Sequence, residues 1–312
     1  RRLEDFRYVE YQLQVGYVWP WFLGVPELTF RPELTRERRQ YVNFDADSSL
    51  FTATWERSLW DRWGLLAGLT YSLEFTRQFH AVDPTDNVNL TIGALIPSLT
   101  VDLRDNPLSP TKGFFAKTSF ELASTAFLSQ SEPFPVSYTR LQGRTDYTAP
   151  LGEGASWYFS LRGGLGANLA DPHKSDGSID TRVQIPLIKQ FSLGGVQSMR
   201  GYKLQELNIQ AFAIQGTMAY VNYRTQIDIP LAGNLRFGPF LDSGVLLVDG
   251  RLPQPRVNGV GALLPKLGVR YGTGLGLHYQ TPVGPVNLDL GFKVAPLPGE
   301  DREEFHFSVG VL

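Results

Sequence analysis

Leu65-Leu66-Ala67-Gly68-Leu69-Thr70-Tyr71-Ser72-Leu73-Glu74-Phe75 places Leu65, Ala67, Leu69, Tyr71, Leu73 and Phe75 on one parity, against Gly68, Thr70, Ser72 and Glu74 on the other. Period-2 alternation of this length is a β-strand with one apolar and one polar face. The same pattern recurs. Val9, Tyr11, Leu13, Val15, Tyr17 and Trp19 oppose Glu10, Gln12, Gln14 and Gly16; Val221, Tyr223, Thr225, Ile227 and Ile229 oppose Asn222, Arg224, Gln226 and Asp228; Val286, Leu288, Leu290 and Phe292 oppose Asn287, Asp289, Gly291 and Lys293. A soluble antiparallel sandwich also alternates, but its polar face would meet bulk water and be rich in Lys and Glu. Here the polar faces are Gly, Ser, Thr, Asn and Gln with Arg and Asp among them, as expected of segments of about ten residues with the apolar side in lipid and the polar side in a lumen.

Composition narrows the function. The 312 residues carry 29 Lys and Arg against 31 Asp and Glu, a net charge of -2, so no basic surface is available for nucleic acid. There is no cysteine, which excludes disulfides, thiolate metal sites and cysteine nucleophiles. No run of about 18 apolar residues offers a spanning helix, and Arg1-Arg2-Leu3-Glu4-Asp5 is not a secretory signal. Membrane insertion therefore requires a closed sheet, which satisfies its backbone between strands. The fold class expected is all-β, an antiparallel transmembrane β-barrel occupying residues 1–312 as a single domain.

About thirteen strands are predicted, near 8–19, 26–36, 47–59, 63–76, 88–104, 113–124, 136–148, 155–168, 217–230, 234–247, 267–280, 285–294 and 304–312. Short turns at 60–62, 106–112, 151–154, 232–233 and 281–284 alternate with long connections at 77–87, 125–135, 169–216, 248–266 and 295–303. In an outer-membrane barrel the short side is periplasmic. An odd count with a periplasmic C-terminus leads to the expectation that opening strands precede Arg1, unless two strands are merged within the first 60 residues.

Five motifs, in order, resemble the BamA and TamA superfamily of outer-membrane assembly barrels. Asp102-Leu103-Arg104-Asp105-Asn106-Pro107-Leu108-Ser109-Pro110-Thr111-Lys112-Gly113 is similar to that family's strand end and periplasmic turn. Gly194-Gly195 with Met199-Arg200-Gly201-Tyr202 resembles the signature of its sixth extracellular loop, and Phe240-Leu241-Asp242-Ser243-Gly244 a following strand. Gly272-Thr273-Gly274-Leu275-Gly276 with Thr281-Pro282-Val283-Gly284-Pro285 resembles the penultimate hairpin, and Phe305-His306-Phe307-Ser308-Val309-Gly310 the closing strand.

The resemblance implies a sixteen-stranded barrel of which residues 8–19 match the fourth strand, periplasmic POTRA repeats upstream, and a final aromatic one position beyond Leu312. It implies that loop 169–216 folds into the lumen and that Arg200 meets Asp242, with Asn222 where the family has a glutamate partner, so that the network carries one charge fewer. A guanidinium fork on a partly buried carboxylate is a strong directional tether, whereas an exposed arginine would make a pair worth about 0 to 1 kcal/mol. It further implies a protein-insertion factor of the bacterial outer membrane, without enzymatic activity or cofactor. That factor acts on unfolded outer-membrane clients in the lipid bilayer, with periplasmic or lipoprotein accessory subunits as further partners, through a weak seam between first and last strands. Phe305, Phe307 and Gly310 mark the closing strand, and the short loops resemble the TamA type slightly more than the BamA type. The alternatives are a two-partner secretion pore and a passive porin. Gly272 to Gly276 is no nucleotide loop, since no helix follows it; His80, His173, His278 and His306 lack metal spacing; and Arg140, Arg144 and Asp146 are read as charges that hold the barrel together.

Overall fold

The computed structural model describes residues 10–174, 176–209, 214–249, 268–282, 284–297 and 299–310. Thirteen strands form one antiparallel sheet in chain order: β1 (Tyr11–Gly16), β2 (Leu28–Gln40), β3 (Asp45–Trp60), β4 (Leu65–Phe79), β5 (Asn89–Asp102), β6 (Gly113–Ala123), β7 (Tyr138–Gly152), β8 (Ala155–Asn168), β11 (Thr217–Ala232), β12 (Leu235–Val248), β13 (Arg270–Thr281), β14 (Gly284–Val294) and β15 (Glu303–Val309). The two remaining strands, β9 (Ser192–Leu193) and β10 (Leu207–Asn208), pair with each other inside the long loop. The expected start of the first strand at Tyr8, the tip of the 248–266 connection and the end at Leu312 lie outside the described residues.

The parities assigned by alternation become the two faces of this wall. On β4, Leu69 and Phe75 are exposed on the outer surface while Ser72, Glu74, Thr76 and Gln78 are buried within. Strands of 11 to 16 residues, each rising about 3.4 Å per residue, are long enough for a tilted crossing of an apolar band about 25 Å tall. All six tryptophans, Trp19, Trp21, Trp55, Trp60, Trp63 and Trp157, lie at or near the short-turn ends. Their rings are amphipathic, which suits a belt at one membrane interface.

β1 is shorter than its alternation, and Pro32 is the cause. Tyr17 and Trp19 still donate to Pro32 O and Phe30 O at 3.1 and 2.8 Å, but proline has no N–H to return a bond, so the ladder breaks there. Conversely β2 and β3 run further than their apolar pattern, to Gln40 and from Asp45, because polar pairs extend the hairpin: Arg36 Nη2 reaches Asp47 Oδ1 at 2.6 Å.

The hydrophobic core lies inside the sheet rather than across it. Loop residues Val183, Ile185, Phe191, Leu193, Met199, Tyr202 and Leu207 pack against Leu90, Ile92, Tyr138, Met218 and Leu246 of the inner wall. Leu187 packs separately with Phe44 and Ala46 at the β2–β3 hairpin. The inner wall toward the long-loop end is thus covered by the protein's own loop.

Candidate functional site: a lumenal loop fastened at two walls

Residues 194–202 make a compact knot whose turn chemistry aims Arg200 at the wall. Gly195 N donates to Tyr202 O at 2.9 Å, and Met199 N to Gly195 O at 3.1 Å. Gly194 sits at φ +121°, and a Cβ there would lie 2.2 Å from Lys203 O, so only glycine closes the knot. Asn222 on β11 holds it from below, donating through Nδ2 to Ser198 O and Ser243 O, both at 2.9 Å.

Arg200 is fully buried and uses its backbone as well as its fork. Its N and Nε donate to Asp242 Oδ2 at 2.9 Å and its Nη2 to Asp242 Oδ1 at 2.9 Å. Nη1 donates to Gln226 Oε1 and lies 3.7 Å from Asp289 Oδ1. The guanidinium carbon stands 3.6 Å from the centre of the Phe240 ring. Burial alone would make Arg200 easier to deprotonate, but the Asp242 charge and hydrogen bonds outweigh it and hold the arginine above its ordinary value. Asp242 also carries Arg224, its cross-strand neighbour, 3.6 Å away.

Sequence reasoning placed Asn222 as the second partner of Arg200 with one charge fewer in the network. The structure corrects this: Asn222 binds loop backbone, and the second carboxylate is Asp289 on β14. Asp289 stands on the same lumenal parity as Asn287 and Lys293, and its Oδ1 accepts from His278 Nε2 at 3.0 Å, with Asp228 Oδ1 at 2.8 Å from the opposite ring nitrogen. Gln226, Asp289, His278 and Phe240 were missed as members of the site because they lie on four different strands. Only the register brings them together.

The knot docks on glycine. A Cβ on Gly272 would come within 2.2 Å of Arg200 O, and one on Gly291 within 2.3 Å of Gly201 N. Gly201 is itself at φ +94° against the Phe292 backbone. Tyr202 OH donates to Tyr271 O at 3.1 Å and accepts from Arg270 Nε at 3.2 Å. The docking reaches the closing strand too, since Gly201 N donates to His306 Nε2 at 3.3 Å.

A second fastening grips the same loop on β4 and β6, elsewhere on the inner face of the sheet. Lys189 Nζ lies 2.8 Å from Glu74 Oε2 on β4 and 3.6 Å from Glu121 Oε1 on β6. Glu121 also meets Arg140 at 3.2 Å and accepts from Tyr138 OH at 2.7 Å. Burial opposes the charge on Lys189, but the two glutamates dominate and raise its pKa above the ordinary 10.5. A lysine with a raised folded pKa contributes stability fully below its unfolded value and loses it as pH climbs through the folded one. The stability of wild type should therefore fall above about pH 10 more steeply than that of Lys189→Met, which should itself be about 3 kcal/mol less stable at neutral pH, since Glu121 keeps Arg140 whereas Glu74 loses the one cation that pairs with it among the described residues. Parallel melting curves from pH 7 upward would check both.

At the short-turn end, Arg104 Nη2 and Nε grip Asp102 at 2.6 and 2.8 Å. Asp105 accepts from Thr111 N at 3.0 Å, Lys112 N at 3.2 Å and Thr111 Oγ1 at 2.5 Å, and Gly113 is at φ +119° beside Leu103 O. Ser109 Oγ hydrogen-bonds Gln280 of β13. With Leu108 and Pro110, this turn lines a cleft that also holds Arg144, Asp146, Asp228 and His278. On the closing strand, Phe305 and Phe307 point outward, and Gly310 at φ +103° ends the strand with Gly310 N donating to Pro285 O at 2.9 Å.

The sequence matches the Omp85 superfamily domain over residues 7–311. The chain belongs to the Omp85 superfamily. Among relatives, it is 28% identical over 174 residues to the chloroplastic outer envelope protein 80 of Arabidopsis thaliana, covering 56% of this chain and 20% of that protein. It is 27% identical over 221 residues to a SAM50-like protein of Schizosaccharomyces pombe, covering 68% and 42%. The match thus spans less than half of either relative. In structure it is similar to BamA from Haemophilus ducreyi lacking POTRA domains 1–3, with TM-score 0.67 and 16% identity over 96% of this chain and 62% of that one. It is also similar to CdiB from Escherichia coli, with TM-score 0.58 and 13% identity over 96% and 52%. These likenesses show the Omp85 barrel fold, to which the loop and its two fastenings are internal.

Proposed function

We propose that this Omp85 barrel inserts or translocates polypeptides at an outer membrane, in the bacterial envelope, without catalysing a covalent step, and that the free edge of β15 is where a client strand pairs. The observation that carries this reading is the shortness of that edge strand: β15 meets β14 through seven register positions, from Val286↔Val309 to Phe292↔Glu303, whereas β13 and β14 share eleven. Unpaired backbone in lipid is costly, and a client strand would satisfy it by edge pairing. The loop knot reaches this strand through Gly201 and His306, so docking of the loop and the position of the edge are linked. A passive porin fits poorly, because the loop's own hydrophobic core fills the lumen toward the long-loop end.

The absence of cysteine makes the test clean. Single cysteines are placed in the full-length protein at Phe305, Phe307 and Lys117, and a client with cysteines along its terminal strand is assembled in membranes. The expected result is disulfide capture at Phe305 and Phe307, which lie on the edge strand, and none at lumen-facing Lys117. Capture at Lys117 alone would replace this reading with a secretion pore.

A further inference from the structure

The outer face of the wall is apolar almost everywhere, with one exception at the long-loop end of β2 to β4. Register places Tyr11, Arg38, Asp47, Arg77 and Asn89 in one outward row, and Leu13, Arg36, Ser49, Phe75 and Thr91 in the next. Directly beneath lie Val15, Leu34, Phe51 and Leu73. The corresponding outward positions elsewhere are Thr139, Leu141, Leu165, Ala167, Ala219, Leu247, Tyr271 and Val294. Among the described residues, no other strand carries an outward lysine or arginine at this end.

The height of the patch is set by the tryptophan belt. From Trp55 to Asp47 along β3 the chain runs about 27 Å, which at a strand tilt of about 40° is about 20 Å of height, within a few ångströms of a barrel's apolar band of roughly 25 Å. The arginines therefore stand where acyl chains end and headgroups begin, a depth at which phosphate is the abundant anion.

Among the described residues, one of these three arginines has a carboxylate partner and two do not. Arg36 Nη2 pairs with Asp47 at 2.6 Å, and Asp45 of the same parity is buried and bound to His80 Nδ1 at 2.9 Å. Arg38 and Arg77 have no carboxylate within ion-pair distance among the described residues. Instead both lean on one ring, with their guanidinium carbons 5.4 and 5.8 Å from the centre of Phe79. A cation held over an aromatic face keeps its N–H groups free and its orientation fixed. Two such forks side by side present the planar donors that phosphate oxygens accept, and Arg36, held in place by Asp47 and by Ser49 Oγ at 2.8 Å, adds its charge beside them.

We propose that Arg36, Arg38 and Arg77 form a headgroup clamp for a phosphate-bearing lipid in the leaflet on the long-loop side. The apolar rows below would receive its acyl chains, and Tyr11 on β1 flanks it. The occupant is a lipid rather than a free anion because the donors sit on the lipid-facing surface, immediately above Leu34, Phe51 and Leu73.

The test uses the full-length protein in phosphatidylcholine bicelles containing phosphatidic acid, with bound lipid counted by native mass spectrometry. Arg38→Gln with Arg77→Gln should weaken retention of phosphatidic acid about thirty-fold, roughly a factor of five for each cation. Arg57→Glu is the control, the same two-unit change of charge on the same outer face at the short-turn end; it should leave retention unchanged. Arg38→Lys with Arg77→Lys keeps the charge and should recover only part of it. Equal losses in the Arg57 variant and the double glutamine variant would overturn the clamp, leaving bulk charge as the cause. Displacement of the lipid by inorganic phosphate at matched concentration would overturn the lipid assignment and leave a free-anion site. Because these residues lie outside the lumen, either failure leaves the loop fastening and the client-edge reading untouched.

Discussion

Asp242→Ala is expected to release the lumenal loop while the strands stay in place, and to do so more completely than Arg200→Ala. Removing Asp242 strands two buried guanidiniums, Arg200 and Arg224, of which only Arg200 has another carboxylate near, Asp289 at 3.7 Å. Breaking a buried ion pair from one side costs about 3 to 5 kcal/mol, and here one carboxylate serves two cations. Arg200→Ala is gentler, because Arg224, now 3.6 Å from Asp242, can take over the vacated oxygens. Arg200→Lys should resemble Arg200→Ala, since a single ammonium cannot reproduce the two-pronged side-chain contact with Asp242 together with the bond to Gln226. The readout is trypsin cleavage at Arg182, Lys189 and Lys203 in the detergent-solubilised barrel, with heat-modifiable migration reporting the sheet. Fast cleavage in the order Asp242→Ala, then Arg200→Ala and Arg200→Lys, then wild type, with migration unchanged, is the expected pattern. A loop that stays protected in Asp242→Ala would mean that its apolar core alone holds it.

The sheet was legible because lipid outside and polar groups inside impose period 2 on every strand. All thirteen wall strands appear at the predicted places, although their ends shift. The ends that shift most are those where alternation carries no information. Arg36-Glu37-Arg38-Arg39-Gln40 has no apolar parity, yet it continues β2 through cross-strand polar contacts with Asp47 and Ser49. Pro32, on the partner strand, shortens β1 although β1's own alternation runs on to Trp19.

The site was legible only where one short segment carries it. Arg200 and Asp242 stood out through their motifs, and the structure brings them together. Asp289, Gln226 and Lys189 did not, for a reason rooted in topology. Each is a single polar residue on a lumenal parity or in a long loop, and what makes it a partner is a neighbour 26 to 115 positions away or a strand register that periodicity does not encode. Asn222 shows the converse error: its place in the motif was read correctly, but an amide satisfies backbone carbonyls as readily as a side chain, and it does so here.

Replacing Gly272 or Gly291 with valine should undock the knot with an effect comparable to losing Asp242, although neither glycine has a side chain to contribute. The wall approaches the loop backbone so closely that a Cβ at Gly272 would lie 2.2 Å from Arg200 O, and one at Gly291 would lie 2.3 Å from Gly201 N. Both obstacles are backbone, which cannot rotate aside as a side chain end can. Either the knot withdraws, which pulls Arg200 from Asp242, or β13 and β14 move apart, which breaks ladder bonds in lipid. The first is cheaper, because the loop end can meet water while the strands cannot. Overpacking of this kind costs about 1 to 3 kcal/mol or more, to which the weakened ion pair adds. Gly143→Val is the matched control: it lies on β7 of the same sheet with nothing within 4 Å of its Cβ, and valine suits a lipid-facing strand position. Gly272→Val and Gly291→Val should expose Arg200 and Lys203 to trypsin while keeping heat-modifiable migration, and Gly143→Val should match wild type in both. If the glycine variants lose heat-modifiable migration instead, the strands have yielded before the loop, and the knot is then part of the wall rather than a separable element docked on it.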